Sequence, residues 1–193
     1  MAEAAAGTST RERVVDVALL SFAARGFEAT SLDDVAAELG VTKQTVLYYH
    51  PSKDALLGAV IERGVADLAR ALRAAGRRCD ATDAADGAGS PRLEDIVVEL
   101  FRIGAKRPEL LSLVREALRL GPPASTRLTD EIEPLVAELA GVVPREAVLT
   151  AAAIVVGMAT EVDVLRGLGV APTRGALRRR RRILLDYLRP MLA

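Results

Sequence analysis

Gly40 and the capping residues on either side of it constrain this chain more than anything else in its sequence. Ser31 precedes an apolar-periodic run of Leu32, Val35, Ala36 and Leu39, and Asp34 stands three residues further on. The Ser31 hydroxyl is suited to accept from the first free backbone N–H groups, while Asp34 sits favourably at the positive end of the helix dipole, so a helix is predicted to start at Ser31. It should end at Gly40, because glycine enters the left-handed region just past a helix terminus without a Cβ penalty. Val41 is then expected as a buried staple, and Thr42 caps a second helix running to about His50. Pro51 and Ser52 stop that helix and cap a third, with Lys53 and Asp54 in its first turn. Two helices joined by a short turn containing glycine match the helix-turn-helix unit, whose second helix enters the major groove of DNA.

The facing of that second helix decides its use. Val46 and either Tyr49 or His50 point back to a core, whereas Lys43, Gln44 and Tyr48 share the opposite side. Gln pairs bidentately with adenine, Lys reaches guanine or phosphate, and a Thr methyl or a Tyr ring meets a thymine methyl. Thr42 with the helix N-terminus suits one phosphate, and Lys53 at the next helix start suits another. The competing reading is an ordinary solvated helix of a small bundle.

On these residues the chain resembles the TetR family of transcriptional repressors. Arg11 to Arg25, ending in Gly26-Phe27, is similar to the family's first helix; Ala29 to Ala36 resembles its second, Gly40-Val41-Thr42-Lys43 its turn, and Pro51 to Leu57 the start of its fourth. His50 stands where the family usually has Phe, and Leu47 where it usually has a phosphate-contacting Tyr, with Tyr48 and Tyr49 flanking that place. About a quarter of the chain carries the specific motifs. The resemblance implies an all-α fold of about nine helices, with a helix-turn-helix domain at 1–52 and a helical effector-binding and dimerisation domain at 53–193. It implies a homodimeric repressor on a palindromic double-stranded operator, released by a small molecule. The expected DNA contacts are Thr30, Ser31, Thr42, Lys43, Gln44, Thr45, Tyr48, Tyr49 and Lys53. The ligand, of unknown identity, is expected between the middle helices among Phe101, Leu111, Val114, Arg115, Leu118, Met158, Glu161 and Val162. Each of these is also an ordinary core candidate, and Arg115 with Glu161 stands out because a charge on an apolar face needs a partner.

Composition bears on this in two directions. Half of the 193 residues are apolar and only 3% aromatic, which favours an all-α chain with a sizeable core. Lysine plus arginine equals aspartate plus glutamate at 26 each, although DNA affinity rests largely on phosphate neutralisation. The first segment mixes Arg11, Arg13, Arg25, Lys43 and Lys53 with acids that fall mostly at helix starts, so a positive DNA face must come from arrangement. Residues 1–10 read as a short disordered tail without a secretory signal, and the uncharged stretch Ala147 to Thr160 is too short to span a bilayer. A lone cysteine, Cys79, excludes an internal disulfide, and a cytoplasmic protein is expected. Arg77 and Arg78 precede Cys79, but an incidental thiol in a flexible segment is favoured over a redox sensor.

Punctuation divides the remainder. Helix four is predicted from Ser52 to about Ala75, ending near Gly76, followed by a loop at Asp80 to Ser90. Further helices are expected from Pro91 to about Lys106, Pro108 to Leu120, Ser125 or Thr126 to Ala140 with an interruption or bend at Pro134, Pro144 to about Gly167, and Thr173 to about Leu192. Small residues at Ala151, Ala152, Ala153, Gly157 and Ala159, and an apolar face of Leu177, Ile183, Leu184, Tyr187 and Leu188, suit a four-helix interface across a twofold axis. Arg178 to Arg182 sweep more than a helical turn and are expected as a solvated rim beside Glu161, Asp163 or Asp186. Catalysis is disfavoured: His50 and Cys79 lack partners at triad or zinc spacing, and Asp33, Asp34 and Glu38 are better explained by capping than as a magnesium site. No metal or cofactor is expected. A helical adaptor that does not bind DNA is the stronger alternative.

Overall fold

A computed structural model describes residues 9–82, 93–141, 144–160, 168–169 and 174–188. Every regular element among them is helical: α1 Thr10–Arg25, α2 Leu32–Leu39, α3 Lys43–Tyr49, α4 Lys53–Thr82, α5 Leu93–Lys106, α6 Pro108–Leu120, α7 Ala124–Ala140, α8 Arg145–Thr160 and α9 Arg174–Leu188.

The first helices are set by local chemistry. Ser9 and Glu12 form a capping box at the start of α1, and Ser31 and Asp34 repeat it at α2, where Ser31 N–H donates to Asp34 Oδ2 at 2.7 Å. At the end of α2, Gly40 adopts φ 73° and ψ 32°. Its N–H donates to Ala37 O at 3.1 Å and that of Val41 to Ala36 O at 2.9 Å, the paired bonds that satisfy the last carbonyls of a helix closed by a left-handed residue. Val41 is half-buried against the core, less than a buried staple requires. The Thr42 hydroxyl accepts from Thr45 N–H at 3.2 Å and starts α3; Ser52 accepts from Ala55 N–H at 3.0 Å and starts α4.

Val14, Ala18 and Phe22 of α1, Val35 of α2, Val46 of α3 and Leu56 and Val60 of α4 fill the core of this head. Truncation of a buried aromatic such as Phe22 to alanine typically costs about 3–5 kcal/mol. The rest of α4 enters a helical body, packing on α5 and α7, while α6 lies along α1 and joins body to head. α9 packs on α5 and α8.

Several boundaries differ from expectation. Helix α4 continues through Gly76 to Thr82, so Asp80 to Thr82 are helical and Cys79 lies on a helix. One interior glycine costs only about 0.5–1 kcal/mol relative to alanine, and no proline lies between Gly76 and Thr82 to stop the helix. The rest of the expected loop, and Pro91, lie outside the described residues. Helix α7 begins at Ala124 and runs uninterrupted through Pro134. Pro134 and Asp130 are exposed, so water can serve the Asp130 carbonyl that the missing N–H leaves unpaired. The expected continuations of α8 past Thr160 and of α9 past Leu188 are outside the described residues. Arg178, Arg179 and Arg182 are exposed, in line with a solvated rim.

Candidate nucleic-acid interface

The seven-residue helix α3 separates its two sides cleanly. Val46 is fully buried and His50, its C-terminal flank, is 3% exposed, while Thr42, Lys43 and Gln44 at its start are open and Tyr48 is 82% exposed. Tyr49 and Leu47 are half-buried, and the Tyr49 ring meets Tyr48 edge-on at 5.0 Å. This fixes which of the neighbouring aromatic residues points out. Tyr48 does, and His50 takes the inward place.

Most expected contact residues already have partners within the head. Lys43 Nζ donates to Asp33 Oδ2 at 2.7 Å with both side chains about half exposed, which sets the start of α2 beside the start of α3. The Thr42 and Thr45 hydroxyls lie 3.0 Å apart at the N-terminus of α3. Lys53 Nζ sits 4.3 Å from the centre of the Phe27 ring and donates to Glu28 O at 3.2 Å. Ser31 is exposed and engaged in its box with Asp34. Thr30 departs from expectation. It is 1% exposed, and its hydroxyl donates inward to Gly26 O at 2.9 Å, so it is not part of the outer face. The acids that mimicked a magnesium site are individually occupied: Asp34 caps, Asp33 pairs with Lys43, and Glu38 accepts from Ser21 and pairs with Arg25.

His50 is the least comfortable residue of the head. Burial pushes its pKa below the usual histidine value, the Arg11 charge adds to this, and a backbone hydrogen bond at Arg11 opposes it. Its Nε2 has no hydrogen-bond partner among the described residues. It lies at an open cleft of about 460 Å³ between the head and α7, bordered also by Arg11, Tyr49, Arg127, Asp130 and Glu131.

The expected effector residues fare unevenly. Phe101, Leu111 and Val114 are half-buried against the core. Arg115 is exposed and Leu118 is 57% exposed, so neither faces the interior between the middle helices. The Met158 side chain, Glu161 and Val162 lie outside what is described. The buried charges among the described residues of the body are instead Asp67, Glu99 and Glu116, which sequence reasoning missed. A signal was present for Glu116: it shares a helical face with Leu113, and Arg119 follows one turn later. Arg119 binds it through two bonds of 2.8 Å and holds its pKa down, against the effect of burial and with help from the Phe27 N–H. Among the described residues no group of three metal-binding side chains converges.

A capped helix-turn-helix head carried on a helical body is the class of protein that this geometry defines. Residues 14–60 match the family model for bacterial regulatory proteins of the tetR family. Over 56 residues the chain is 38% identical to the HTH-type transcriptional regulator RutR of Escherichia coli K12, a match covering 29% of this chain and 26% of RutR. The match therefore spans only about a quarter of that relative's length. Solved structures extend the likeness to the fold: a putative transcriptional regulator from Streptomyces coelicolor aligns with a TM-score of 0.66 at 23% identity, covering 95% of this chain and 98% of its own. A putative tetR family transcription regulator from Shewanella sp. PV-4 aligns with a TM-score of 0.68 at 18% identity over 94% and 96%. The likeness to the tetR family is thus carried by the head, residues 14–60, while the fold of these solved structures is shared over nearly the full length of the chain.

Proposed function

We propose that this protein is a sequence-specific DNA-binding transcriptional regulator, a repressor that leaves a palindromic operator when a small molecule binds its body. The observation that carries the reading is α3, whose apolar side is sealed by Val46 and His50 while Lys43, Gln44 and Tyr48 face solvent from a capped N-terminus. In this reading Gln44 and Tyr48 read base edges. Thr42, Thr45 and the free N–H groups of α3 hold one phosphate, and Lys43, Lys53, Ser31 and Tyr49 contact the flanking backbone. The head ends near residue 52, and α4 onward serves effector binding and pairing. Its place of action is the cytoplasm, where a bacterial chromosome lies.

Pairing as a homodimer is supported by Ile183 and Tyr187, four residues apart on α9 and both more than half exposed, with Leu149 exposed on α8. Apolar side chains at that spacing form one stripe, which a second copy would cover. An effector changes DNA affinity only by preferring one arrangement of the pair, and α4 and α6 are the elements that connect body to head. The test is a gel shift against the DNA flanking the chain's own gene, repeated with candidate effectors. Retardation that weakens with salt is the expected result; a folded dimer that retards no duplex at any salt would falsify it and leave the adaptor reading.

A further inference from the structure

The segment from Gly26 to Thr30, between α1 and α2, is gripped from three directions. Thr30 holds the Gly26 carbonyl from within the head, and Lys53 lies over Phe27 and binds the Glu28 carbonyl from the start of α4. The third grip comes from the body: Phe27 N–H donates to Glu116 Oε1 on α6 at 2.7 Å, a contact between residues far apart in sequence. Arg119 occupies both carboxylate oxygens and keeps Glu116 ionised, so the bond to Phe27 is charge-assisted and stronger than a neutral one. Gly26 makes room for it, since a Cβ there would lie 3.3 Å from Glu116 Oε1. Beyond the loop the connection continues through α2, whose Asp33 holds Lys43 of α3.

We propose that Glu116 is a positioning residue that fixes the orientation of the reading head on the body, and so sets which separation of DNA half-sites a dimer accepts. This rests on the reading that α3 binds DNA. A body that holds each head by a directional bond presents the two reading helices at one spacing and one twist. Without the carboxylate the Phe27 N–H loses its partner and the loop keeps only its ties to the head and to α4. The head then pivots more freely. Affinity for the preferred spacing falls, and duplexes with other spacings become relatively better targets.

The experiment uses the full chain. A duplex is first selected from a random pool by the wild type, and affinities of wild type, Glu116→Ala and Glu116→Gln are measured on it and on versions with one base pair inserted or removed between half-sites. The expected result is that Glu116→Ala reduces the spacing preference by about fivefold or more, within the usual range of coupling between sites. Glu116→Gln keeps an acceptor for Phe27 but loses the charge, and should fall between. Amide hydrogen exchange without DNA supplies an independent readout: the Phe27 amide should lose protection in Glu116→Ala while Val35 and Val46 keep theirs. Equal losses on every spacing in both variants, or unchanged exchange at Phe27, overturn the proposal. If the wild type enriches no duplex, the DNA reading has failed and so has the role in spacing, while exchange at Phe27 still decides whether Glu116 holds the head to the body.

Discussion

Lys43 Nζ donates to Asp33 Oδ2 across 2.7 Å, so the first turn of α3 is tied to the first turn of α2 by an exposed ion pair. Such pairs contribute little to stability, but this one places an acid where a phosphate would compete for the same ammonium. Asp33→Asn should therefore raise affinity for all duplexes at low salt by up to about fivefold, the most that an exposed pair worth about 0.2–1 kcal/mol can release. The gain should shrink as salt rises. Titrations at two ionic strengths check it, and a gain for one sequence alone would point to a base-reading role for Asp33 instead.

Gln44 is exposed near the N-terminus of α3, the end from which a recognition helix reads bases. Gln44→Ala should relax preference at one base position in each half-site, at a cost of about 1–3 kcal/mol on the preferred sequence. Competition among single-substituted duplexes measures this directly. Equal weakening across all of them would make Gln44 a residue that positions the helix without reading it.

The buried His50 should make stability depend on pH, with a decline that begins above the range of the carboxylates. Its folded-state pKa lies below the ordinary value, through burial first and the Arg11 charge second, so the unfolded chain takes up the proton more readily. Stability should be complete above about pH 6.5 and decline as the pH falls from there through the folded-state pKa. Glu12, Asp34 and Glu116 have lowered pKa values and lose their contributions only below the ordinary carboxylate range. Thermal melts of His50→Phe should be flat over the range in which the wild type declines; an identical decline in both proteins assigns the effect to other groups.

Gly26 adopts φ 86° and ψ 159°, a combination that essentially only glycine populates. Gly26→Ala adds backbone strain and a Cβ pressed to 3.3 Å from Glu116 Oε1. The expected destabilisation is about 1–3 kcal/mol, visible as a lower denaturation midpoint. An unchanged midpoint would show that the loop can relax away from α6.

What was legible in advance was whatever the chain settles locally. Ser31 with Asp34, Gly40, Thr42 and Ser52 mark helix ends through bonds spanning a few residues, and the structure places those caps where the sequence predicts them. The residues that escaped depend on which elements meet. Thr30 reads as a surface hydroxyl until α1 is known to cover it; Arg115 and Leu118 look like pocket lining until α6 turns Glu116 and Ala117 inward and leaves them exposed. Gly76 reads as a stop because glycine often follows a helix, yet nothing after it enforces termination. The Phe27–Glu116 bond joins residues whose relation no local pattern expresses.

Whether α3 reads DNA sequence is decided by selection of binding sites from a pool of random duplexes, followed by footprinting of the winner. The expected result is enrichment of an inverted repeat whose half-site centres lie about one helical turn or a multiple of it apart, with protection lost when Gln44 and Tyr48 are both replaced by alanine. A folded dimer that enriches no sequence over the starting pool at low salt, or whose footprint survives that double replacement, would contradict it.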